Sequence, residues 1–142
     1  MLTLVQAQTI LSTALDHAAS HGFKPLAIAI IDARGAQKAF AAQDGTSLKR
    51  AEIALGKAHG AVALGLGSRA LHKMAQERPY FIAAATHAVG GLLVPVPGGV
   101  LIRDSAGALL GTVGISGDTS DNDEAAALAG IAAAGLAADT GA

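Results

Sequence analysis

The stretch PVPGGVLIRDSAGALLGTVGISGDTSDNDE, Pro95–Glu124, decides how this chain is read. Val100–Arg103 and Leu109–Ile115 are short runs of β-branched and aliphatic residues, the composition of half-buried strands. Between them Asp104-Ser105-Ala106-Gly107 carries turn chemistry: Asp and Ser bond their own backbone, and Gly accepts positive φ. Pro97-Gly98-Gly99 keeps the first strand from starting earlier. A small-residue turn, Ser116–Ser120, then leads into a long Ala-rich run. Ser120 with Asp123 resembles a capping box, and Asp118, Asp121, Asp123 and Glu124 crowd a helix N-terminus, where the dipole favours negative charge. The acidic cluster reads equally as a cap or as the rim of a site.

Outward from this hairpin, a second one rhymes with it. Leu26–Ile31 and Ala36–Ala42 flank Asp32-Ala33-Arg34-Gly35, again with an Asp and a Gly in the turn. Thr3 and Gln6 form a capping pair for a helix to about His21, with Leu4, Ala7, Leu11, Ala14, Leu15 and Ala18 at helical spacing. His17 and His21, four residues apart, share a face near its end; that spacing suits a metal or haem iron, or two histidines at the negative end of the dipole. Ser47 can cap a helix over 48–64 whose apolar face carries Ala51, Ala54, Leu55, Ala58, Ala61 and Val62. Arg50 and Lys57 flank that face, where a lysine either snorkels to solvent or turns into a pocket to bind a carboxylate or react as an amine. A shorter helix is expected over 68–76, stopped by Pro79, and 82–94 is ambiguous between helix and strand. A last helix is expected from Asn122 to about Ala138. Two tightly turned hairpins between helices imply one α+β domain over residues 1–142 with an antiparallel sheet, and disfavour a doubly wound parallel one.

Composition narrows the function. Hydrophobic residues make up 51% of the 142, with mean hydropathy +0.45, yet the apolarity is mostly Ala and Gly, and no apolar run is long enough to span a bilayer. So much apolar surface on a small chain is expected to lie partly between subunits. With a net charge of −1 there is no electrostatic footprint for nucleic acid or an anionic membrane. With no cysteine, disulfides, thiolate metal sites and cysteine nucleophiles are excluded. No signal-peptide pattern opens the chain, so it is read as cytoplasmic. The phosphate-loop, zinc-protease and nucleophile-elbow motifs are missing, and Asp118-x-x-Asp121-x-Asp123 lacks the spacing of an EF-hand.

Three segments together resemble the GlcG/HbpS-like family of haem-binding or haem-degrading domains, also found at the C-terminus of some corrinoid adenosyltransferases. They are Ala51-Glu52-Ile53-Ala54 with Lys57-Ala58, Pro97–Ile102, and Gly111–Gly117 followed by Asp123-Glu124. The resemblance spans about residues 3–138. It implies a profilin-like fold, a single sheet of about five strands flanked by helices. It also implies homo-oligomers, dimers built into tetramers or octamers, and haem or another planar, carboxylate-bearing ligand.

Under that reading His17 or His21 ligates the iron while Arg50, Lys57 or Arg103 pairs with propionates. The alternative is an enzyme on a small carboxylic or keto acid, with Lys57 anchoring or activating the substrate, Tyr80 donating a proton and Asp123 or Glu124 acting as base. A third reading is an accessory subunit without chemistry, favoured if no cavity of ~300 Å³ opens beside Lys57.

Overall fold

The computed structural model describes residues 1–142. Helix α1 (Leu4–Ser20) leads into the hairpin β1 (Ala27–Asp32) and β2 (Gln37–Ala42). Helices α2 (Arg50–Leu64), α3 (Ser68–Glu77) and α4 (Pro79–Ala88) follow. The second hairpin, β3 (Gly99–Arg103) and β4 (Leu109–Ser116), then runs into α5 (Ser120–Ala133) and a short strand β5 (Ala137–Asp139). The five strands form one antiparallel sheet in the order β2-β1-β4-β3-β5, the α+β architecture the hairpins implied.

The two hairpin turns are built alike. The Asp32 carboxylate accepts from the N–H groups of Arg34 and Ala36, and Asp104 accepts from those of Ala106 and Ala108. Gly35 and Gly107 take φ of +87° and +85°, a region closed to most side chains, so glycine completes each turn. Beyond each turn the ladder slips by a residue: Lys38 is the extra residue in β2 and Leu110 the extra residue in β4.

The sheet has two unlike faces. Ile28, Ile30, Val100, Ile102, Val113 and Ile115 pack against Ala7, Ile10, Ala14 and Ala18 of α1 and Ala126, Ala127 and Ile131 of α5. On the other face Ala27 and Ala29 meet Ala54 of α2. Here α2 lies so close that a Cβ on Gly114 would strike the Ala54 carbonyl, and one on Gly99 the Lys57 carbonyl. Only residues without a side chain permit that approach.

Several expectations are corrected. Residues 82–94 form no strand: Pro79 takes the first turn of α4, where its missing N–H costs nothing, and Ile82 and Ala85 bury against Leu71 and Leu93. The last helix stops at Ala133 rather than about Ala138, and Ala137–Asp139 pairs with Leu101–Arg103 as the sheet edge. Its cap is Thr119, whose hydroxyl accepts from the Asn122 N–H, one residue before the expected Ser120. At α2 the Ser47 carbonyl, not its hydroxyl, receives the Arg50 N–H.

Candidate functional site

Two constellations hold most of the polar residues singled out above, at the end of the sheet marked by Ala27 and Ser116. The first is sealed. Lys57 projects from α2 toward the β4–α5 turn, and its Nζ donates to an Asp123 carboxylate oxygen at 3.1 Å and to the Ile115 carbonyl at 2.8 Å. The other Asp123 oxygen accepts the Asp118 N–H at 3.0 Å. Both side chains are only 2% exposed. Burial pulls the Lys57 ammonium below its ordinary value and pushes the Asp123 carboxyl up, while each partner opposes the other's shift. A Cβ on Gly98 would lie 2.8 Å from Lys57 Nζ, so the glycine backbone forms the lid of this pair.

Two arginines stand around it, and only Arg69 is ion-paired. Arg50 donates to the Ser116 hydroxyl at 3.1 Å. Arg69 on α3 binds Glu124 through two nitrogens and also reaches Asp121, tying α3 to the first turn of α5. The hydrogen bonds to Glu124 and then to Asp121 raise the Arg69 guanidinium further above its ordinary value. Ser68, fully buried, accepts the Gly99 N–H at 2.7 Å. Arg69 and Ser68 carry no motif in sequence; their roles depend on α3 crossing the β3 start.

The candidates thus divide. Lys57 and Asp123 meet, Glu124 is held by Arg69 one residue away, and Tyr80 stands 74% exposed on α4. No cavity opens on Lys57. The single cleft, about 470 Å³, lies at the opposite end of the sheet, bordered by Asp32, Lys38 and Leu110. Arg103 is at that far end as well, paired with Asp139 and the Gly107 carbonyl. No group of three or more metal-ligating carboxylates and histidines occurs.

The second constellation is open. His17 and His21 stack with ring centroids 4.0 Å apart, and Phe23 meets His17 edge-on at 5.6 Å. The His21 Nδ1 lies 2.8 Å from the His17 carbonyl, which can only accept, so that nitrogen carries a proton and Nε2 is the ring nitrogen left facing outward without a partner. Partial burial, and then the neighbouring His21, lowers His17 below 6.5, so its imidazole is neutral at pH 7 and able to ligate. Asp118 accepts the Lys24 N–H at 2.7 Å, locking the segment after the histidines onto the β4–α5 turn.

The family model for haem degrading protein HbpS-like matches residues 2–132. The chain belongs to the HbpS-like family. Among solved structures, it is similar to a PduOC–haem complex, 25% identical over 96% of each chain with a TM-score of 0.85. It is also similar to HbpS, 26% identical over 92% of this chain and 88% of that one, TM-score 0.79; the HbpS double mutant solved from Streptomyces reticuli matches at the same identity. Klebsiella pneumoniae ORFY shares the fold at 19% identity, covering 94% and 90%, with a TM-score of 0.83. No curated protein sequence matches the chain. No helix is long and apolar enough to cross a membrane. Family membership agrees with the sequence resemblance, which rested on the α2 pattern and on the glycine-rich β3 and β4 segments that now prove to be one packed face.

Proposed function

We propose that this HbpS-like chain binds haem through the His17–His21 face of α1, as one copy of a homo-oligomer. The observation that carries the reading is the stacked, partly exposed histidine pair, in which burial favours the neutral form of His17 and His21 Nε2 has no partner, in a chain similar to a protein solved with haem. The donor set fits iron, for which imidazole is a common axial ligand. A propionate would find Arg50 at the same end of the sheet. Lys57 is already spent on Asp123, and Arg103 on Asp139.

The face is open, so a porphyrin on it needs a cover. A second copy of the chain is the simplest one, consistent with exposed Leu4, Val5 and Phe40 elsewhere on the surface. Dimer-based tetramers or octamers remain the proposed assembly, in the cytoplasm. The sealed Lys57–Asp123 pair, with no cavity beside it, supports a binding module over an enzyme that activates a small acid at Lys57.

A haemin titration followed by absorbance and native mass tests this. The expected result is a saturable Soret shift at one haem per subunit or per dimer, lost in the His17→Ala/His21→Ala double variant. Broad, unsaturable binding, or an unchanged shift in the double variant, would overturn it. Acid should release the haem. Protonating His17 removes the lone pair that would ligate iron, and burial lowers His17 below the ordinary histidine value, so occupancy holds at neutral pH and falls only at pH below that ordinary value.

A further inference from the structure

The 470 Å³ cleft lies where the tips of the two hairpins come together beneath the start of α1, at the opposite end of the sheet from the histidines. Its walls include Leu2, Leu109 and Leu110, with Leu2 and Leu110 buried in the main core. Its rim carries Asp32, Arg34 and Lys38.

Both hairpins contribute a bulge residue here. Lys38 is unpaired between Gln37 and Ala39 in β2, and Leu110 between Leu109 and Gly111 in β4. A bulge leaves one residue out of the ladder alternation and re-aims its side chain. The same device, used in two hairpins side by side, places a lysine and a leucine on one cleft.

The charges on the rim are uneven. Arg34 pairs with Asp32 at 3.2 Å, and Asp32 also accepts the Arg34 and Ala36 N–H groups. Burial would raise the Asp32 carboxyl, but those N–H groups and the guanidinium hold it below its ordinary value, so the pair is internally neutral. Lys38 has no carboxylate within salt-bridge distance. The cleft therefore combines an apolar wall with a lysine that no carboxylate pairs, in the size range of small-molecule sites.

We propose that this cleft binds a small amphipathic carboxylate, its aliphatic body against Met1, Ala33 and Leu109, over the buried Leu2 and Leu110, and its carboxylate on Lys38. The site is separate from the histidine face and does not depend on haem. The carboxylate–ammonium contact fixes orientation, and the apolar side chains supply the burial.

Octanoate is the probe, titrated into the full chain and followed by amide NMR shifts. The expected result is saturable binding at one site per chain, with the largest shifts at Ala33, Lys38, Leu109 and Leu110. Lys38→Glu is expected to weaken binding about tenfold or more, and octylamine to bind about tenfold more weakly than octanoate. Lys38 sits on an edge strand, so its variant should keep the wild-type spectrum away from the cleft; Arg34→Ala, which leaves the Asp32 carboxylate unpaired on the rim, should weaken binding as well, by less than Lys38→Glu. The His17→Ala/His21→Ala variant should bind octanoate as the wild type does, which separates this site from haem binding. Shifts that map elsewhere, unsaturable binding, equal binding of octylamine, or unchanged affinity in Lys38→Glu would each overturn the proposal.

Discussion

The two faces of the sheet are packed by opposite means. Toward α1 and α5, six Ile and Val side chains stand out from the strands and interlock with helix side chains. Toward α2, the strands offer Ala27, Ala29, Gly99 and Gly114, and the helix backbone comes down onto them. The first face holds by bulk, and a lost methylene leaves a cavity. The second holds by absence, and an added methyl has nowhere to go. The thin face is also the one that hides an ion pair. Because α2 lies close, Lys57 reaches past the strand end to Asp123 and is shut off from water by Gly98.

The largest expected effect comes from stranding that pair. Lys57→Ala leaves Asp123 buried without its cation and should cost about 3–5 kcal/mol in urea unfolding. Lys57→Met with Asp123→Asn, which keeps an acceptor for the Asp118 N–H, should recover most of the loss; if Lys57→Ala costs under about 1 kcal/mol, the pair does not hold α2 to α5. Gly114→Ala should follow at about 2–3 kcal/mol, since the methyl meets the Ala54 carbonyl. On the bulky face, Ile30→Val should cost only about 1 kcal/mol. Equal costs for these two would erase the contrast between the faces. The smallest effect, and of opposite sign, belongs to Thr112, whose buried hydroxyl has no hydrogen-bond partner. Thr112→Val should leave stability unchanged or raise it by up to about 1 kcal/mol.

How much of this was legible depends on the range of the forces involved. Each hairpin announced itself because Asp32 and Asp104 bond N–H groups two and four residues on, all within the turn. The Thr3–Gln6 box was legible for the same reason. The stretch after Pro79 was ambiguous because FIAAATHAV is mostly apolar with no clean period; burial of Ile82 and Ala85 against Leu71 made it a helix. The Ala-rich tail had no local signal for its end, since Ala137–Asp139 becomes a strand only by pairing with β3. Lys57 was noticed at the margin of an apolar stripe, with two fates open to it. Its actual partner lies 66 residues away, a distance no spacing argument crosses.

The sequence by itself determined the two hairpins, the helices that cap locally, the α+β class and, through the glycine-rich β3 and β4 segments, the family. Those features rest on interactions within a few residues or on a pattern of missing side chains. The tertiary structure decided the rest: that Lys57 is sealed against Asp123, that Arg69 clamps Glu124, and that the histidines and the cleft stand at opposite ends of one sheet. Each of these needs chain segments brought together by the closed sheet, and burial then assigns the partners that a linear sequence leaves open.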